Sequence, residues 1–80
     1  MKTRIYVTLK TGVLDPQGKA IANALHGLGF GGVGDVRQGK VIDIELAERD
    51  EARARATLKE MCEKLLANTV IEKYEIELQA

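Results

Sequence analysis

Hydrophobic and polar positions alternate strictly over three stretches of this chain and recur at helical spacing over two others. Ile5, Val7 and Leu9 alternate with Tyr6, Thr8 and Lys10. That is the period of a half-buried strand, and it predicts a first strand over about Thr3 to Lys10. Ile42, Ile44 and Leu46 against Val41, Asp43 and Glu45 repeat the pattern, as do Tyr74, Ile76 and Leu78 against Lys73, Glu75 and Glu77. Between them, Ile21, Ala24, Leu25 and Leu28 fall on one face of a helix predicted from Pro16 to about Leu28. Asp15 is placed to cap that helix, Pro16 fits its first position, and Gly29 suits the left-handed position after its end. Asp50 caps a second helix running to about Ala67, with Ala54, Leu58, Met61, Cys62 and Leu65 as its buried stripe. A further short strand is read around Val33 to Arg37. Gln38-Gly39 comes next as a tight hairpin connection, with glycine supplying a positive φ.

The resulting order, β-α-β-β-α-β, predicts one α+β domain over residues 1–80. It is a two-layer sandwich of ferredoxin-like or related kind, with an antiparallel sheet and both helices on one face. The other sheet face carries Tyr6, Thr8, Lys10, Val41, Asp43, Glu45, Glu75 and Glu77. Such a face suits either water or a partner, and the residues leave both open. A chain of 80 residues buries only roughly 60–65% of its unfolded surface, so its core is marginal and self-association is a common remedy.

Composition narrows the class. Cys62 is the single cysteine, which excludes an internal disulfide and any zinc spacing and suits a reducing, cytoplasmic setting. Twelve basic residues balance twelve acidic ones, which argues against nucleic acid or an anionic membrane as partner. No apolar run approaches the length of a membrane span.

Candidate chemistry is thin. Gly27 to Gly32 and Gly29 to Gly34 both match G-x-G-x-x-G, but a dinucleotide fingerprint must follow a strand and open a helix, and here the helix comes first. His26 lies opposite the apolar face of its helix without an acidic partner and reads as a solvated side chain. Cys62, between Leu58 and Leu65, reads as a small buried hydrophobe. Asp43 with Glu45, and Glu75 with Glu77, read as the wet face of strands, and the charges from Glu48 to Arg55 as a helix entrance. No set of residues fills the roles of an active site. Two readings remain: a binding or assembly module, or a small regulatory domain that takes an effector, the latter by fold analogy alone.

Three segments carry a resemblance. Leu14-Asp15-Pro16-Gln17-Gly18-Lys19-Ala20, Asp35-Val36-Arg37-Gln38-Gly39-Lys40 and Met61-Cys62-Glu63-Lys64-Leu65-Leu66-Ala67-Asn68 resemble the PurS family, from about Ile5 to Leu78. PurS is the small accessory subunit of phosphoribosylformylglycinamidine synthase. The resemblance implies a non-catalytic, cytoplasmic chain that forms a homodimer or higher oligomer and joins a PurL-type synthetase to a PurQ-type glutaminase. The complex would use ATP with Mg and glutamine, and this chain would bind no cofactor or metal itself. Tyr6, Lys10, Asp15, Gln17, Lys19, Arg37 and Lys40, polar or aromatic residues near strand ends and the corner loop, are the expected partner contacts.

Overall fold

A computed structural model describes residues 1–79. Strand β1, Lys2–Leu9, lies in the middle of an antiparallel sheet of order β2-β1-β3, between β2, Gly39–Glu45, and β3, Glu72–Gln79. Helix α1, Pro16–Gly27, comes after β1, and α2, Glu51–Met61, after β2. Ile5 pairs with Ile42 on one side and Ile76 on the other, and Val7 with Lys40 and Tyr74. This register stacks the apolar alternate positions of all three strands on one face. There Leu58 and Cys62 cover Ile5 and Val7, all four essentially inaccessible. Each fully buried aliphatic side chain of this size contributes about 1.5–3 kcal/mol.

The architecture corrects three expectations. The sheet has three strands, because Val33 to Arg37 forms no ladder. That segment runs back along α1 instead. Its backbone partners are side chains and helix termini: Gln38 donates to Asp15, and Val33 accepts from His26. Gly39 accordingly opens β2 and makes no hairpin turn. Its φ is not positive. A side chain there would stand 2.7 Å from the Val7 carbonyl oxygen, so close approach to β1 is what excludes one.

The second correction concerns α2. Its regular hydrogen bonding stops at Met61, and Cys62–Leu66 forms one wider π turn, closed by Ala67 N–H donating to Cys62 O at 3.0 Å. The extra residue rotates the downstream backbone about the helix axis. Leu65, expected in the buried stripe, is 83% exposed, while Leu66 and Ala67 turn towards the core. Ala54, Leu58 and Cys62 are buried and Met61 packs against them, as their spacing predicts.

The third correction is the largest. Among the described residues α2 and the π turn pack on the sheet, and no α1 side chain joins the core cluster. Helix α1 and the returning segment form an arm beyond the end of the sheet. The chain measures 48 × 27 × 14 Å with a radius of gyration of 16.0 Å, against about 12 Å for a compact chain of this length. The end of α1 is as its sequence predicts. Gly29 has φ +97°, Gly29 N–H donates to His26 O, and Phe30 N–H donates to Leu25 O, which closes the helix with a Schellman motif.

Candidate partner-binding site

The expected contact residues separate into one cluster and two outliers. The cluster is the corner where β1 hands over to α1 and the returning segment enters β2. Gly12, at φ +88°, turns the chain, and Val13 N–H donates to Lys10 O at 3.1 Å. Asp15, only 6% exposed, accepts from Gly18 N–H through Oδ1 at 2.8 Å and from Gln38 N–H through Oδ2 at 2.7 Å. It therefore caps α1 and ties down the returning segment with one carboxylate. The Gln38 N–H, then that of Gly18, holds its pKa below the usual carboxylate range. Arg37 donates to Val13 O at 2.7 Å and Lys10 O at 3.2 Å, fastening the same corner from outside.

Gly18 lets the two segments touch. A Cβ at that position would lie 2.1 Å from Val36 O, well inside contact distance. Lys10 reaches across to the loop before β3, its Nζ donating to Thr69 O at 2.7 Å and its N–H to Ile71 O at 2.8 Å. Lys40 faces Glu72 at 3.8 Å, and Glu72 also accepts from Asn68 N–H at 2.7 Å. Pro16, Gln17, Gln38, Lys40 and Glu72 line an open hollow of about 480 Å³ at this end of the sheet.

Tyr6 and Lys19 are the outliers. Tyr6 lies on the uncovered sheet face, its hydroxyl donating to Glu77 at 2.9 Å. Lys19 is exposed on α1 and does not line the hollow. The uncovered face is organised: Arg4 grips Asp43 through Nε at 2.7 Å, raising its own pKa and lowering that of Asp43. Glu72, Gln38 and Thr69 are site residues that the sequence does not announce. Glu72 pairs with Leu9 and so meets Lys40 across the sheet, which only the strand register reveals.

A second hollow, of about 470 Å³, lies between β2 and α2; Ile44, Met61, Leu65 and Leu66 give it an apolar wall, and Thr57, Glu60 and Lys64 also line it. The structure thus offers surfaces for binding. Among the described residues no three His, Cys, Asp or Glu side chains stand together as metal ligands, and no helix is long and apolar enough to cross a membrane. Cys62 is buried, and burial pushes its thiol pKa up, away from nucleophilic use.

Comparison with known proteins decides between the two functional readings. Residues 2–80 match the family model of PurS, phosphoribosylformylglycinamidine (FGAM) synthase. The chain belongs to the PurS family. It is 49% identical over 78 residues to the phosphoribosylformylglycinamidine synthase subunit PurS of Bacillus subtilis, covering 98% of this chain and 92% of that one. The crystal structure of Methanocaldococcus jannaschii PurS, one of the subunits of formylglycinamide ribonucleotide amidotransferase in the purine biosynthetic pathway, superposes with a TM-score of 0.88. It shares 45% identity and covers 98% and 94% of the two chains. A chain in the structure of PurLQS from Thermotoga maritima matches with a TM-score of 0.86 at 34% identity, covering 95% and 93%. This PurS-family chain is therefore a subunit of FGAM synthase, acting in purine biosynthesis. The three-stranded sheet, with two helices of which α1 stands apart, aligns over nearly its whole length with solved PurS structures.

Proposed function

We propose that this chain is a non-catalytic bridge in the FGAM synthase complex, holding a PurL-type synthetase and a PurQ-type glutaminase in register as a cytoplasmic homodimer. The match to a chain of PurLQS carries this reading. Ammonia released from glutamine must reach the synthetase without escaping to solvent, and a small misplacement at a reacting centre costs rate steeply. A rigid spacer meets that need, and the hydrogen bonds of Asp15 and Arg37 with the close approach at Gly18 that pin the corner support this reading.

ATP and Mg would be held by the synthetase. The glycine run of residues 27–34 stands at the C-terminal end of α1, where carbonyls and the negative end of the dipole repel phosphate. Cys62 is enclosed by the core. The docking surface assigned to partners is the exposed rim of the corner, Gln17 and Lys40, with Lys19 farther along α1 and Tyr6 on the uncovered sheet face. Asp15 shapes that rim from within, and Lys10 and Arg37 fasten it from outside.

Reconstitution tests the reading. Purified alone, the chain is expected to show no ATPase, glutaminase or amidotransferase activity. Added to synthetase and glutaminase, it should restore glutamine-dependent formation of formylglycinamidine ribonucleotide while changing ammonia-dependent turnover much less. Turnover from glutamine that is indifferent to the chain defeats the bridging role. Lys19→Glu with Lys40→Glu should slow assembly, most visibly at low salt, because rim charges act mainly on association. Normal assembly of that variant at low salt would move the docking surface elsewhere.

A further inference from the structure

Three exposed cations gather at one end of the uncovered sheet face, and their charges are left uncancelled. Lys73 of β3 pairs with Thr8, which pairs with Gly39 on its other side. In the next row, Arg37 stands two residues before Gly39 and Lys10 two residues after Thr8. Lys10 Nζ donates to Thr69 O, and the Arg37 guanidinium donates to Val13 O and Lys10 O. Those acceptors are main-chain carbonyls, which satisfy a hydrogen without cancelling a charge. Among the described residues no carboxylate lies within 4.0 Å of the Lys10, Arg37 or Lys73 nitrogens. Elsewhere cations do meet carboxylates: Arg4 reaches Asp43 at 2.7 Å and Lys64 reaches Glu60 at 2.6 Å. Asp15, the acid inside the corner, is 6% exposed and spends its two oxygens on the Gly18 and Gln38 amides.

The sign of this face reverses along the strands. Past the row of Val41, Tyr6 and Glu75, the acids Asp43, Glu45 and Glu77 outnumber Lys2 and Arg4. The face is therefore basic at the corner and acidic towards its other end, in a chain whose total charge is zero. Tyr6 stands where the sign changes, half-buried, with Val41 beside it 59% exposed. Tyrosine and arginine are enriched where proteins dock. The three cations follow the lines of adjoining strands, about 5 Å apart, on an open surface that would hold a small free anion from one side only. The nearby N-terminus of α1 adds nothing for such an anion, because Asp15 already caps it. Carboxylates fixed in the surface of another protein match this shape and charge.

We propose that this end of the uncovered face receives an acidic patch of the synthetase or glutaminase: carboxylates of that subunit lie against Lys10, Arg37 and Lys73, and Tyr6 and Val41 pack at the edge of the same contact. The acids beyond Tyr6 repel that patch and so fix which way round the chain docks. The proposal rests on the bridging role and gives one of its contacts a chemistry.

The experiment assembles the full chain with synthetase and glutaminase and treats the native complex with a carbodiimide, which joins a lysine amine to a carboxylate in contact with it. Peptide mapping is expected to find Lys10 or Lys73 joined to an Asp or Glu of one of the two subunits. Association is then timed for Lys73→Glu, at a side chain that fastens nothing in the corner, and for Lys59→Glu, the same charge change at an exposed position on α2. At low salt Lys73→Glu should associate about tenfold more slowly, with the difference shrinking at high salt. Lys73→Gln should fall between, Lys59→Glu should match the unmodified chain, and all three should keep its far-UV circular dichroism. Three results overturn the acidic contact and leave the bridging role standing: no link from Lys10 or Lys73 to either subunit, an unmodified rate for Lys73→Glu at low salt, or equal slowing by Lys59→Glu. A chain that binds neither subunit overturns both.

Discussion

Replacing Gly18 by alanine sets two opposing effects against each other in the middle of the site. Alanine is the better helix former by about 1 kcal/mol, and on an open helix surface Gly→Ala stabilises. Gly18 is not on an open surface. The added carbon would stand 2.1 Å from Val36 O and 2.9 Å from Val36 C, both backbone atoms that cannot rotate away. Carbon and oxygen need more than 3 Å, so the returning segment must retreat by about 1 Å. That retreat stretches the 2.7 Å bond from Gln38 N–H to Asp15. Overpacking of this kind costs about 1–3 kcal/mol, and weakening a buried hydrogen bond costs about 0.5–1.5 kcal/mol more. The steric effect wins, and Gly18→Ala is expected to lose about 1–3 kcal/mol net, or several degrees in Tm for a domain of this size. Gly27→Ala is the control, because nothing lies within 4 Å of its added carbon, and it should be neutral or raise Tm slightly. The assays are thermal melts at one fixed chain concentration and hydrogen exchange at the Gln38 amide. An increase in Tm for Gly18→Ala, equal to that of Gly27→Ala and with Gln38 protection intact, would refute the reasoning.

Other outcomes are equally specific. Leu58→Ala, at a fully buried position against Ile5 and Val7, should cost about 2–5 kcal/mol by urea unfolding. Cys62 should label slowly with a thiol reagent in the native state and rapidly once unfolded. Because burial raises its folded pKa, stability should be level below the ordinary thiol pKa and fall as pH rises above it; Cys62→Ala should flatten that slope. Leu65→Lys places a charge on an 83% exposed side chain, so it should leave the fold intact while reducing the mass seen by light scattering.

The strands and caps were legible because local rules decide them. Strict alternation places Ile5, Val7, Ile42 and Ile76 correctly, and Asp15, Asp50 and Gly29 cap where their chemistry predicts. The misses share a different origin. Val33 and Val36 look like strand residues, but a strand exists only if an edge is free to pair, and this segment finds α1 and Asp15 first. Leu65 obeys helical spacing until the π turn shifts the phase by one residue. Ile21 and Leu28 have the periodicity of a core face, and periodicity does not say whose core it is. At the site, Asp15 was legible as a cap, but its second bond to Gln38 was not, since 23 residues separate them. Arg37, read as a partner contact, also donates its guanidinium to the Val13 and Lys10 carbonyls, which its position in the sequence does not announce.

The position of β1 has a kinetic consequence. It is the middle strand, yet it precedes both of its neighbours in chain order, and its ladder with β3 joins residues from 63 apart (Leu9 with Glu72) to 77 apart (Lys2 with Gln79). Closing so long a loop precedes any reward from the pairs it brings together. During synthesis β1 emerges well before β3 and waits with one edge bare until β3 follows. The sheet is therefore completed only when β3 arrives, although the buried residues of β1 and α2 precede it. Loss of a few residues from β3 would strand the central strand with a single neighbour.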